Sequence, residues 1–332
     1  MKKYRVGMIG VGRIGRLHVE NITSFIPRLE IIAAADVAID ASREWLESKG
    51  IKELYTDYRD LLKNDDIEAV IIASATDTHK EIAIAAAEAK KQIFCEKPID
   101  QAVVNNEEVV RAIESAGVLF QVGFNRRFDH NFARVRQLVE DGSIGEVQII
   151  RISSRDPAPP PLHYLKVSGG LFLDMMIHDF DMVRYLSGME VRRVTAHGAN
   201  LIDPKIKEEG DIDTAVVTLE LSNGALAVID NSRQAVYGYD QRVEVFGSKG
   251  QAVAYNDAPN NVELYSEDAI RKDKIYYFYL DRYTRAFVDQ FNTFADALEG
   301  KRGGPGVIDG LRAVEIGVAA GQSLREGKTV EL

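Results

Sequence analysis

The sequence predicts an α/β fold: a doubly wound parallel sheet, followed by an α+β half built on an open, mostly antiparallel sheet. Three observations carry this reading. A glycine turn, Gly10-Val11-Gly12-Arg13-Ile14-Gly15, lies between a short apolar strand and a helix. Strands and helices then alternate as far as residue 123. Beyond it the pattern becomes short alternating runs joined by turns.

The first half reads in order. Tyr4 to Ile9 is a buried strand, and Arg16 to Phe25 is a helix with Leu17, Ile22 and Phe25 at helical spacing. A second strand, Leu29 to Ala35, ends on Asp36, 21 positions after Gly15. Asp40 to Lys49 reads as a helix, 54–55 as a short strand, 58–63 as a helical turn and 69–73 as a fully buried strand. An alanine-rich helix over 78–89, a strand over 92–95, a helix over 103–115 and a strand over 118–122 complete it. In the second half, 134–140 is a helix. Strand-like runs follow at 146–154, 191–199, 214–221, 225–232, 241–246, 251–255 and 261–265. Ser222-Asn223-Gly224 marks a hairpin between two of them. Helices are expected near 171–186, 281–298 and 308–325. The expected domains are 1–123 and 124–332.

Composition narrows the function. The chain has 332 residues, enough for two cores. A net charge of -10 disfavours nucleic acid and anionic membranes as partners, because both reward positive fields. The single cysteine, Cys95, excludes a disulfide framework and a cysteine-based zinc site. No apolar run is long enough to span a bilayer, and the expected location is cytoplasmic.

Strand, glycine turn, helix, strand and terminal acid together form the Rossmann dinucleotide-binding fingerprint. The first glycine permits the tight turn, the second lets backbone approach a pyrophosphate at the helix N-terminus, and the third lets helix and strand pack closely. Ligands in such sheets sit beyond the carboxyl ends of the strands, which singles out loops 10–15, 74–79 and 96–98. The candidate cofactor contacts are Gly10, Gly12, Arg13, Ile14, Gly15, Asp36, Ser74, Thr76, His79, Glu96 and Lys97. Asp36 suits the ribose diol and would repel a 2′-phosphate, so the expected cofactor is NAD. His18 reads as a packed or surface residue.

A second chemical signal lies at Gly169-Gly170-Leu171-Phe172-Leu173-Asp174-Met175-Met176-Ile177-His178-Asp179-Phe180-Asp181. Apolar residues run nearly all round this helix, yet carboxylates and an imidazole interrupt them. At helical spacing Asp174, His178 and Asp181 share one face. A carboxylate one turn from a histidine suits a general base. An internally satisfied structural pair is the other reading, and a metal site lacks a clear third ligand. Lys97, directly after a parallel strand, points into the ligand crevice. The proline-rich stretch Arg155-Asp156-Pro157-Ala158-Pro159-Pro160-Pro161 reads either as a connector or as a binding wall.

The glycine loop, Glu96-Lys97-Pro98 and Gly169-Gly170 through Asp174 and His178 resemble the glucose–fructose oxidoreductase/inositol dehydrogenase (Gfo/Idh/MocA) family over essentially the whole chain. Gly123-Phe124-Asn125-Arg126-Arg127-Phe128-Asp129, Ser154 to Pro161 and Asp230 to Asp240 are most similar to its inositol-oxidising branch. The resemblance implies that Lys97, Asp174 and His178 are catalytic. It implies His178 as the base, with Asp174 binding substrate and steadying the histidine, and Lys97 orienting the reacting oxygen. Arg127, Asp156 and Tyr237 become candidates for other ring hydroxyls, with Tyr239 as the alternative tyrosine. It further implies NAD-dependent oxidation of a cyclic polyol, myo-inositol to 2-keto-myo-inositol, without a metal, and a homotetramer assembled through the open sheets. Another inositol isomer or a hexose as substrate, an NAD-dependent glycosidase on the same fold, and a cofactor-sensing binding protein stand as rivals.

Overall fold

The computed structural model describes residues 2–332. The chain divides into two compact units, 1–125 with 285–314, and 126–284 with 315–332. This corrects the single boundary expected at 123/124. The reason is packing: in the helix Thr284–Leu298, Phe291, Phe294 and Ala295 enter the same core as Val6, Met8, Val19, Ile71 and Phe94. An amphipathic helix goes where its apolar stripe is buried, whatever its distance along the chain.

The first unit carries a six-stranded sheet: β1 (Tyr4–Ile9), β2 (Leu29–Ala35), β3 (Glu53–Tyr55), β4 (Ala69–Ile72), β5 (Gln92–Cys95) and β6 (Phe120–Val122). Their spatial order is β3-β2-β1-β4-β5-β6, and every pairing is parallel. All of β4 is buried, as expected for a strand covered on both faces. The order reverses between β1 and β4, the switch point where such sheets bind ligands. The glycine loop follows β1 and the loop with Ser74 follows β4, so both open at that point.

The second unit contains β7 (Val147–Arg155), β8 (Val191–Ala199), β9 (Thr214–Leu221), β10 (Leu226–Ser232), β11 (Asp240–Gly247), β12 (Gly250–Ala254), the ribbon β13 (Glu263–Tyr265) and β14 (Ile270–Lys272), and β15 (Val330–Glu331). Seven of them form one sheet ordered β12-β11-β7-β10-β9-β8-β15. The sheet is mixed: β10 runs parallel to β7, with Asn231 beside Ser154, while the other neighbours are antiparallel. The predicted hairpin joins β9 to β10, with Gly224 at φ +86. Alternation sorts the sheet's faces. Ser154, Asn231 and Gln241 are buried, whereas Arg151, Ser153, Asp230 and Glu244 face the other way.

The helix expected near 171–186 is two elements. Leu171–Met175 is a π-helical turn, closed by Met176 N–H donating to Leu171 O at 2.9 Å, and Ile177–Ser187 is α-helical. Such turns recur at functional sites.

Candidate active site

In the first unit the three glycines do different work. Gly10 holds φ +91 against the Ser74 backbone, which no side chain would tolerate. A Cβ on Gly15 would strike the Gly10 carbonyl, so that glycine sets helix–strand packing. At Gly12, by contrast, a Cβ meets no described atom within 4 Å, which leaves the helix N-terminus approachable by a pyrophosphate. Asp36 is fixed by two backbone donors: Val11 N–H to Oδ2 at 2.7 Å and Ala38 N–H to Oδ1 at 2.8 Å. The acid is therefore tied to the glycine loop itself. The residues present fit a dinucleotide.

His79 differs from expectation. Its ring is buried, with Nδ1 2.9 Å from Pro98 O and Nε2 3.1 Å from Ser74 O. Burial pushes the imidazole below its ordinary pKa, against the pull of those two carbonyls. A neutral ring carries a single N–H, so one of the two carbonyls receives it, and the buried ring sits between the two crevice loops. Ser74 Oγ meets Thr78 Oγ1 at 2.7 Å, and Thr76 begins the turn Thr76–Thr78 beside it. Glu96 N–H continues the sheet by donating to Ile72 O at 2.9 Å, which places Lys97 at the carboxyl end of β5. Burial pushes the Cys95 thiol well up, so it is not an available thiolate.

In the second unit a polar cluster gathers around the π-helical turn. Asp174 Oδ1 accepts from Tyr164 OH at 2.9 Å, and Oδ2 lies 3.4 Å from Arg233 Nη1. Arg233, only 1% exposed, also reaches Asp211 Oδ2 at 3.4 Å, and Asp211 accepts from Leu171 N–H at 3.0 Å. His178 lies in the first turn of the following helix, half-buried. The partly buried Asp156 carboxyl is pushed up to about 6, first by loss of solvent, with Asp174 adding to the rise and Arg233 and Arg126 opposing it. Its backbone is pinned by Ser232 O at 3.0 Å and Ala235 N–H at 2.7 Å, while its carboxylate makes no hydrogen bond among the described residues.

The remaining sequence candidates are placed differently from the expectation. Asp181 does not share its helix face's work with Asp174. Its two oxygens receive Arg127 Nε at 2.9 Å and Nη2 at 2.6 Å in a bidentate pair. The π-helical turn alters the regular helical spacing between Asp174 and Asp181. Arg127 therefore has two of its nitrogens engaged by Asp181. Tyr237 OH donates to Asp240 at 2.6 Å and accepts from Arg155 at 3.4 Å. Arg155 faces away from Ser154 and its buried neighbours, so these contacts do not draw Tyr237 into the Asp156 cluster. Tyr239 is the tyrosine that joins it: the ring is buried, and its OH accepts from Arg126 Nη2 at 3.3 Å.

Behind the cluster Arg126 binds Asp179 at 2.6 Å, and Asn231 donates to the same carboxylate at 2.9 Å. Arg233, Tyr164 and Asp211 were missed by the sequence reading. Arg233 lies within the Asp230 to Asp240 motif, but its burial comes from strand neighbours far away in sequence. A possible three-ligand cluster of Asp129, His130 and Asp257 exists elsewhere in this unit, but Arg282 already lies 3.0 Å from Asp257 and also pairs with Asp129.

Family models match both halves of the chain. Residues 4–124 match the oxidoreductase family with an NAD-binding Rossmann fold, and 132–253 match the GFO/IDH/MocA C-terminal domain. The chain belongs to the Gfo/Idh/MocA oxidoreductase family. It is 49% identical to an uncharacterized oxidoreductase of Bacillus subtilis over 332 residues, covering 100% of this chain and 97% of that one. It is 46% identical to the myo-inositol 2-dehydrogenase of Thermotoga maritima over 331 residues, 99% of this chain and 98% of that protein. Among solved structures it is similar to the scyllo-inositol dehydrogenase of Lactobacillus casei bound to NAD(H) and scyllo-inositol, with a TM-score of 0.92 and 30% identity over 99% of each chain. The family is NAD-binding, and no helix among the described residues is long and apolar enough to cross a membrane.

Proposed function

We propose that this enzyme is an NAD-dependent inositol 2-dehydrogenase, oxidising myo-inositol to 2-keto-myo-inositol (scyllo-inosose). The observation that carries the reading is the Asp156 carboxylate. It is set among Arg233, Arg126, Asp174 and Asp179 and has no hydrogen-bond partner in the described protein. Such an acceptor, fixed through its backbone, suits a ring bearing many hydroxyls, whereas a simple alcohol would leave it unmatched. Relatives that oxidise inositol support the same substrate class.

Bound NAD would supply the acceptor for the hydride that leaves the carbinol carbon. The chain's residues do the rest. His178 takes the hydroxyl proton onto a ring nitrogen, and Lys97 donates a hydrogen bond to the same oxygen as negative charge gathers there. Asp174, oriented by Tyr164 and Arg233, binds a neighbouring hydroxyl and stabilises the protonated imidazole. Arg127 and Tyr237 stay candidates for outer ring hydroxyls, each with part of its hydrogen bonding already engaged. Gly10, Gly12, Arg13, Ile14, Gly15, Asp36, Ser74, Thr76, Glu96 and Lys97 are assigned to the cofactor. The enzyme is further read as a cytoplasmic homotetramer of inositol catabolism. A face of the large sheet with Val216 (43% exposed), Leu226 (55%) and Phe246 (40%) supports self-association. Light scattering on the purified protein should give about four chains, and a monomer would remove that part.

The test is NADH formation, read by absorbance, across inositol isomers and aldoses. Myo-inositol is expected to give the highest kcat/KM. A second reading, scyllo-inositol, is favoured by the likeness to the Lactobacillus casei enzyme, and the same panel separates them. Turnover of glucose but no inositol would overturn the substrate. Absence of net NADH would favour a glycosidase.

Two further results are expected. NAD should be preferred over NADP, because a 2′-phosphate would face the Asp36 carboxylate. Asp36→Ser should narrow that preference and also lower stability, since Val11 and Ala38 N–H lose their acceptor. Equal kcat/KM with both cofactors in the unaltered enzyme would contradict the assignment. The second concerns pH. Asp156 titrates near 6, so KM for inositol should rise as pH falls below that value, and Asp156→Asn should abolish this limb. The raised pKa means that the folded state holds this proton more tightly than the unfolded chain. Its contribution to stability is therefore lost as pH climbs from about 4 to 6. Asp156→Asn should thus melt higher at pH 8 while binding inositol more weakly, and a lower melting temperature there would contradict the account.

A further inference from the structure

We infer that His18 is a positioning residue that acts on Lys97 through Glu96. The inference rests on the proposed role of Lys97 at the reacting oxygen. His18 lies on the helix Arg13–Phe25 that the glycine loop begins, and its side chain is fully buried. Its Nε2 is 2.7 Å from Glu96 Oε1. An ionised carboxylate only accepts, so the hydrogen in this bond sits on Nε2. The ring is held edge-on by Phe94 at 5.8 Å and Phe291 at 4.8 Å, with Phe287 at 6.0 Å. It cannot swing away without displacing that aromatic wall.

A second observation separates this from ordinary packing. His18 Nδ1 is buried with no hydrogen-bond partner. A leucine would fill an aromatic cage without an unmatched nitrogen, so packing alone does not account for an imidazole here. The bond to Glu96 does. Glu96 is bordered on its other side as well: a Cβ on Gly123 would come 2.7 Å from its Oε2, so the glycine leaves room for the carboxylate in this position. The residue before Lys97 is thereby fixed to the helix of the cofactor loop.

The residue after it is fixed in the same manner. Pro98 O lies 2.9 Å from His79 Nδ1 and Ser74 O lies 3.1 Å from Nε2, and the single N–H of this buried, neutral ring bonds one of them. Two buried histidines therefore bracket Lys97, one through each chain neighbour. His18 sets the lysine's backbone relative to the glycine loop, and His79 sets it relative to the loop after β4. Lys97 is thus placed against both cofactor loops of its own unit by side chains buried inside that unit.

The test compares His18→Leu, His18→Gln, Glu96→Gln and the His18→Leu/Glu96→Gln double variant, with myo-inositol and saturating NAD. A misplaced reacting group can cost about 10²-fold, so His18→Leu should lower kcat on that scale with NAD affinity unchanged. His18→Gln, whose amide carries a donor to the same place, should recover most of the loss. The double variant should be no worse than His18→Leu, since Glu96→Gln alters only the acceptor of a bond that His18→Leu has already removed. Wild-type kcat in His18→Leu, or losses that add in the double variant, would overturn the inference. If His18→Leu fails to fold, His18→Asn, too short to reach Glu96, is compared with His18→Gln, and equal kcat overturns it. A wild-type enzyme making no NADH from inositol would overturn the proposed function and this inference with it; an active wild type with an unaffected His18 variant overturns the inference alone.

Discussion

Replacing His178 with alanine is expected to lower kcat for inositol oxidation by about 10²–10⁴-fold, the usual contribution of a general base. NAD affinity should be nearly unchanged, because the residues assigned to the cofactor belong to the other unit. In the unaltered enzyme the rate should rise with pH as the base loses its proton. In the proposed mechanism Asp174 assists the base, so Asp174→Asn should lower kcat/KM and weaken substrate binding. Stopped-flow measurement of the hydride-transfer step isolates these effects from product release. A His178→Ala enzyme with nearly full turnover and the same pH profile would return His178 to a structural role.

The second large effect concerns stability. Arg126 and Asp179 form an almost wholly buried pair at 2.6 Å, shared with Asn231, Ser154 and Tyr239. Burial raises the Asp179 pKa, and Arg126 is the leading influence that opposes the rise. Removing one partner of a buried pair leaves the other uncompensated, which typically costs about 3–5 kcal/mol. Arg126→Met should destabilise the second unit on that scale in urea unfolding. The double variant Arg126→Met/Asp179→Asn should recover much of the loss, because no buried charge is left alone. An Arg126→Met protein within about 1 kcal/mol of wild type would show that the buried pair contributes little to the stability of the unit.

What was legible in the sequence follows from the range of the interactions. The first unit declared itself because its signals are local. Ile71 and Ile72 sit in a run too apolar for any exposed strand, and Gly10, Gly12 and Gly15 lie at fixed offsets within one turn. The parallel pairing of β7 with β10 was not legible, since it joins runs separated by two other strands and depends on register rather than composition. The π-helical turn was hidden for another reason. Apolar residues surround Leu171 to Phe180 on all sides, so no periodicity revealed the extra residue that moves Asp174 off the face of Asp181. Arg233 and Tyr164 needed the tertiary fold before they could be matched to Asp174. His18 had no partner readable in the chain, because Glu96 lies across the sheet. The family motifs drew attention to Lys97, Asp174 and His178, and the structure adds what holds two of them: Tyr164 and Arg233 at Asp174, and the histidines bracketing Lys97.

Isotope transfer tests the central claim most directly. Myo-inositol carrying deuterium at C2 is incubated with the enzyme and NAD, and the reduced cofactor is isolated and weighed by mass spectrometry. The account predicts one deuterium in each NADH formed, together with 2-keto-myo-inositol in equal amount. Unlabelled NADH, or label returned to the sugar with no reduced cofactor accumulating, would contradict it.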